Sequence, residues 1–172
     1  EQMHEHRVHI ALIQEGRNEK SLRGRNSGTY CRISAGHEGH NLGVEVWIDL
    51  SKPYGKLNGK PLLFQASQFW VVEHHPRHMF IRVSAPGFNK MLAVIHAPHE
   101  GWKKAERQEY WSTIGELCAK WAPDIVGIDA NGSVGSVQSQ AVGPSGMRED
   151  EDSNGQMFHE FLLENQLCAI NT

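Results

Sequence analysis

The sequence predicts an α+β fold in which two β-sheets pack together and helices cover the outside. Three observations predict it. Short apolar runs broken by Pro, Gly and Asn fill the chain up to Ile95. The hydrophobic period then changes to helical spacing at Lys103. A compact strand and a second amphipathic stretch follow. Strands grouped first and helices later, rather than strict alternation, give a layered α+β arrangement.

The elements follow in order. Val8 to Gln14 (VHIALIQ) is an apolar strand that ends at Glu15. Thr29 to Ser34 and Leu42 to Ile48 read as strands, with a turn over Gly36 to Asn41 (GHEGHN) between them. Residues 51–63 are rich in Pro, Gly and Lys and read as a loop. Phe69 to Glu73, His78 to Ser84 and Lys90 to Ile95 form a meander, with Pro76-Arg77 and Ala85-Pro86-Gly87 in the gaps. Lys103 to Trp121 places Tyr110, Trp111, Ile114, Leu117, Cys118 and Trp121 on one helical face. Lys103, Lys104, Glu106, Arg107 and Glu109 fall on the other side, and Gly115 weakens the interior by roughly 0.5–1 kcal/mol. Pro123 separates this helix from the strand that ends at Asp129. Residues 132–154 are Gly- and Ser-rich, acidic around Glu149 to Asp152, and long for a loop without structure. A helix from Asn154-Gly155 to Asn165 turns Phe158, Phe161 and Leu162 inward. Leu167 to Ile170 begins another strand.

Bulk properties narrow the classes. A chain of 172 residues suits one domain or a large piece of one. At 39% apolar residues it can build a core, which excludes disorder throughout. The net charge of -3 excludes a strongly basic nucleic-acid platform. It does not exclude a nuclease, whose metal site is itself acidic. Cys31, Cys118 and Cys168 match no zinc or disulfide pattern and read as buried thiols in a reducing compartment. No membrane span or leader is visible. The first residue is not Met and the last ones read as a strand in progress, so the chain is expected to be a fragment.

The most informative segment is Asp124 to Gly132 (DIVGIDANG). Alternation along a strand puts Asp129 and Asn131 on one face, where a carboxylate and an amide can orient a water against a phosphate. The same residues can instead form a strand-end turn. Glu15, after an apolar strand, is either a solvated strand-end residue or a bound carboxylate. His4, His6 and His9, and His74, His75 and His78, lack the Cys or carboxylate company of a dedicated zinc site. Trp70, Trp102, Trp111 and Trp121 read mostly as core or helix-face residues. Trp102, beside Lys103 and Lys104, is the one placed to meet DNA. Arg17 reads as a surface residue or a phosphate contact. Gly132 to Ser136 could offer backbone N–H groups to a nucleic-acid backbone.

Taken in order, several segments resemble one family. Ile13-Gln14-Glu15-Gly16-Arg17, Gly43-Val44-Glu45-Val46, Val94-Ile95-His96-Ala97-Pro98 and Gly127-Ile128-Asp129-Ala130-Asn131 are similar to motifs of the endonuclease/exonuclease/phosphatase domain. The stretch from Val142-Gly143 through Asn154-Gly155, Phe158 and Phe161-Leu162 to Asn171-Thr172 is closest to the endonucleases of non-LTR (LINE-type) retrotransposons. The third motif carries His where many relatives carry Tyr. The fourth carries Ile128 and Ala130 around Asp129, a departure from Gly-Asp-Phe-Asn that keeps the Asp-x-Asn spacing.

The resemblance implies a four-layer α/β/β/α sandwich, with residues 1–172 a partial domain truncated at both ends. The family's opening Asn strand and closing Asp-His strands would lie outside it. It implies Glu15 as a ligand for Mg²⁺ or Mn²⁺, Asp129 to orient or deprotonate a water, Asn131 to hold a phosphate oxygen or fix Asp129, and His96 to move a proton or bind phosphate. The implied function is metal-dependent endonuclease cleavage, nicking one DNA strand beside a reverse transcriptase of the same polyprotein, in the nucleus and with no membrane partner. A phosphatase acting on phosphoinositides or nucleotides, and an inactive retroelement remnant, are the alternatives.

Overall fold

The structure, a computed structural model, describes residues 2–17, 22–25, 30–36, 42–144 and 150–171, and of residues 2, 4 and 22–25 the backbone alone. The chain forms two compact units, Glu1–Ile95 with Pro123–Ile128, and His96–Ala122 with Asp129–Thr172.

The first unit carries the strands. A short helix α1 (Gln2–Glu5) precedes β1 (Ile10–Ile13), β2 (Leu22–Arg25), β3 (Tyr30–Ala35) and β4 (Val44–Asp49). These four make an antiparallel sheet in the order β1-β4-β3-β2. A ribbon, β5 (Gly55–Leu57) with β6 (Lys60–Leu62), and a 3₁₀ turn at Ala66–Gln68 lead on. The second sheet is ordered β10-β9-β8-β7, from β7 (Phe69–His75), β8 (His78–Ala85), β9 (Phe88–His96) and β10 (Ile125–Asp129).

Alternation explains how the sheets meet. Cys31, Ile33 and Ala35 of β3 and Val44, Val46 and Ile48 of β4 face the same way, and all are buried. With Met79, Ile81, Val83, Leu92 and Val94 from β8 and β9 they form one core cluster. Glu45 and Asp49 project from the opposite face of β4 and are also buried, at 2% and 0% exposure. Asp49 accepts from the backbone and hydroxyl of Ser51, both at 2.7 Å. The indole of Trp47 donates to Glu45. Each buried carboxylate is therefore hydrogen-bonded, as its desolvation requires.

The second unit is helical. Helix α2 (Lys104–Trp121) buries Arg107, Trp111, Ile114 and Cys118, a spacing that keeps one face inward. Helix α3 (Ser153–Glu164) buries Met157, Phe158, Phe161 and Leu162. Trp111 stacks against Phe158 at 5.7 Å and lies 4.8 Å from Phe161.

Several expectations are corrected. The 51–63 loop contains the β5–β6 ribbon, because Asn58 and Gly59 both take positive φ (50° and 76°), the backbone of a tight hairpin turn. Strand β2 and helix α1 have no expected counterpart. Leu167 to Ile170 forms no strand: Leu167 and Cys168 are irregular, Ala169 makes one parallel bridge to Val142, and Ile170 lies in a turn. Arg107 is buried at 7% exposure instead of lying on the polar side of α2. Trp70 is 47% exposed, not core, and Cys168 is exposed, whereas burial pushes the Cys118 thiol up to about 11. Apart from Gly36, the turn expected over Gly36 to Asn41 lies outside the described residues. In the described part of 132–154, side chains supply the order that regular structure does not. Buried His159 bridges Glu151 (2.9 Å) and Ser139 (2.7 Å) and so holds that stretch to α3.

Candidate active site

The residues singled out from the sequence fall at strand ends. His96 is the last residue of β9 and Asp129 the last of β10. Both belong to the second unit, where Ala97 N–H donates to the Asp129 carbonyl at 2.8 Å. The imidazole Nε2 of His96 lies 3.9 Å from Asp129 Oδ2. The imidazole is 6% exposed and the carboxylate 42% exposed, so one partner is sheltered and the other open to a ligand. Tyr110, on α2, donates its hydroxyl to the His96 carbonyl at 3.2 Å and fixes the strand end from behind.

Asn131 is brought to the same place, though not by strand alternation. The strand stops at Asp129, and Asn131 sits in the left-handed region at φ 47°. Its backbone N–H donates to Asp129 Oδ1 at 3.0 Å, which is the turn that the sequence left as an alternative. Its Nδ2 donates to the Ala97 carbonyl at 2.8 Å. The turn and the candidate site are therefore one structure. Asn131 fixes Asp129 through the main chain and ties the β9 and β10 ends together through its side chain. With Oδ1 held in this way, Oδ2 is the oxygen that faces His96.

Glu15 lies in the first unit, just past β1. Its φ is 54°, a left-handed conformation that costs a non-glycine residue roughly 1–2 kcal/mol. Gly16 N–H, bonded to the Gly43 carbonyl at 2.9 Å, anchors the chain after it. On the other side, Gln14 Nε2 donates to the Gly127 carbonyl of β10 at 3.0 Å, also within the first unit. The carboxylate is 52% exposed and has Arg17 at 3.5 Å, a weak surface pair. Arg17 itself is 72% exposed, the surface reading of that residue.

Among the described residues, the histidine groups show no zinc geometry. His75 and His78 stack face to face, with centroids 5.0 Å apart, so their ring nitrogens do not converge. Burial, with His75 next in effect, pulls the His78 imidazole down to about 4. His9 Nε2 contacts the Pro53 carbonyl at 3.0 Å.

Sequence reasoning missed the residues behind the site. Asn154 and Arg107 join α3 and α2 to the strand-end segments. Gly132 and Gly155 let those segments touch, since a Cβ on Gly155 would sit 1.8 Å from the Ser133 carbonyl oxygen. A signal was present: Arg107 stands at helical spacing before Trp111, Ile114 and Cys118, and Asp152-Ser153-Asn154-Gly155 opens α3 with capping residues.

Two four-stranded sheets sharing one core, and helices α2 and α3, define a mixed α/β architecture. Among solved structures, the endonuclease domain of TRAS1, a telomere-specific non-LTR retrotransposon, matches it with a TM-score of 0.59 at 14% identity. The match covers 99% of this chain and 66% of that one, so the chain spans just under two thirds of that structure's length. At this identity the likeness is one of fold. No protein-family model and no curated protein sequence matches the chain. No helix among the described residues is long and apolar enough to cross a membrane.

Proposed function

We propose that the chain is part of a metal-dependent endonuclease that nicks one strand of DNA, its two units together forming a partial domain of the fold it shares with the TRAS1 structure. The observation that carries this reading is the placement of His96 and Asp129 at the ends of β9 and β10, with Asn131 locking the pair.

Glu15 joins them in this proposal. Its neighbour Gln14 is bonded to the Gly127 carbonyl within the first unit, which holds the end of β1 in place. Glu15, His96 and Asp129 each offer one ligand atom for a divalent ion. Glu15 is the residue we assign to the ion, Mg²⁺ or Mn²⁺, which leaves Asp129 and His96 for proton transfer. A bound ion would offset negative charge on the phosphoryl oxygens.

The chain's own residues do the rest. The Asp129 carboxylate, 42% exposed, orients an attacking water and accepts its proton. His96 Nε2 donates to a phosphoryl oxygen or passes a proton to the leaving oxygen. Asn131 keeps the Asp129 carboxylate at one angle. A nick that leaves a 3′-hydroxyl would suit a reverse transcriptase in the same polyprotein, acting in the nucleus.

The test is supercoiled-plasmid nicking by the longest natural form of the protein, with Mg²⁺, with Mn²⁺ and with chelator. Metal-dependent nicking that falls at least about 10³-fold in Asp129→Ala is expected. A folded protein that hydrolyses phosphoinositides or nucleotides but leaves DNA intact would replace this reading with the phosphatase one. Inactivity on every substrate would point to a remnant.

A further inference from the structure

We propose that Asn154 is a positioning residue that sets His96 and Asp129 against each other, an inference that rests on the hydrolytic reading above. Asn154 has 0% exposure and its amide is fully used. Nδ2 donates one hydrogen to the Pro98 carbonyl (3.2 Å) and the other to the Asn131 carbonyl (2.6 Å). Oδ1 accepts from Arg107, whose Nη1 also donates to Ser153 Oγ at 2.9 Å. Pro98 lies two residues after His96, and Asn131 two residues after Asp129. One planar amide therefore bridges the two segments that carry the proposed chemistry.

The orientation of that amide is not free. A guanidinium only donates, so Arg107 must face the oxygen, and the NH₂ must face the two carbonyls. A flipped amide would set donor against donor and acceptor against two acceptors. Arg107, held on α2, thus fixes Asn154, and Asn154 fixes the gap between the strand ends. Neither Asp, which lacks the donors, nor Gln, which is longer, can reproduce this. The network also explains a buried Arg on an otherwise apolar helix face.

The experiment is Asn154→Asp in the full-length protein beside Ser153→Ala, which removes the contacts to Arg107 and Glu100 but neither bond to the Pro98 and Asn131 carbonyls. For Asn154→Asp, kcat should fall about 100-fold with KM for DNA unchanged, the signature of misplaced reacting groups. Amide exchange at Ala97 and Asn131 should speed up about tenfold, while amides of β8 keep their protection. Ser153→Ala should leave kcat and both amides unchanged. Unchanged kcat and exchange in Asn154→Asp would overturn the proposal. So would a loss that appears equally in Ser153→Ala and follows global melting. If Asp prevents folding, Asn154→Ser carries the same test without added charge. If the wild type does not nick, the DNA-cleavage reading falls, and the exchange measurement still decides the positioning.

Discussion

Substituting Ala for Gly155 separates local propensity from packing. Gly155 is in the first turn of α3, where Ala is favoured by up to about 1 kcal/mol. Here the added Cβ would lie 1.8 Å from the Ser133 carbonyl oxygen and 2.7 Å from its carbon. Backbone cannot yield as a flexible side chain can, so α3 and the 132–133 segment must part by about 1 Å or more. Two bonds sit on that contact. Asp152 Oδ1 accepts Gly155 N–H at 2.6 Å as the helix cap, and Asp152 Oδ2 accepts Ser133 N–H at 3.0 Å. Losing the cap costs about 1 kcal/mol. The second, charge-assisted bond is worth roughly 1.5–3 kcal/mol. Net of the helical gain, Gly155→Ala should destabilise by about 1.5–3 kcal/mol, or roughly 3–12 °C in Tm for a chain of this size. Urea and thermal unfolding measure it, with Gly115→Ala as the opposite case. A Cβ at Gly115 meets only Asn165 Nδ2, at an ordinary 3.7 Å, so that variant should gain up to about 1 kcal/mol. A Gly155→Ala protein as stable as the wild type would refute the packing argument.

Stability should also depend on pH through His78. Its folded value of about 4 lies below the ordinary 6.5, so between those values the unfolded chain binds more protons. The contribution is therefore full above pH 6.5 and is lost as pH falls to about 4, amounting to at most about 3 kcal/mol. Urea midpoints at pH 7 and pH 4.5 should converge in His78→Gln relative to the wild type, and an unchanged difference would remove His78 from the account. Trp111→Ala, which leaves Phe158 and Phe161 without their stacking partner, should cost about 3–5 kcal/mol by denaturant titration. A loss under 1 kcal/mol would mean that α2 and α3 are held by other contacts.

Patterns carried by single elements were legible. The meander β7–β8–β9 follows from apolar runs punctuated by Pro76 and Gly87, and α2 from a 3.6-residue period. The strand-end placement of Glu15, His96 and Asp129 was also legible, because each closes an apolar run. What escaped was set by contacts between distant segments. Burial of Arg107 depends on Ser153 and Asn154, some 46 positions away in sequence. The strand expected at Leu167 to Ile170 has the right composition, but α3 is followed there by turns, with Gln166 at φ 55°. Asn131 leaves the strand because its N–H has a better acceptor in Asp129 Oδ1 than a ladder would offer.

The chain contains the dipeptide Asn-Gly at 58–59, 131–132 and 154–155, and the first and last of these should age differently. Deamidation begins when the backbone nitrogen of the following residue attacks the Asn side-chain carbonyl, closing a succinimide ring and releasing ammonia. Glycine offers that nitrogen with the least obstruction. Asn58 and Gly59 occupy an exposed turn where water and backbone motion both favour ring closure. At Asn154 the attacking nitrogen is held on Asp152 Oδ1, and the amide under attack is pinned between Arg107 and two carbonyls. Stored protein should gain isoaspartate at 58 long before 154. The fold thereby shields from chemical decay the one Asn whose conversion to Asp is the substitution expected to slow the reaction most quietly, with the chain still folded.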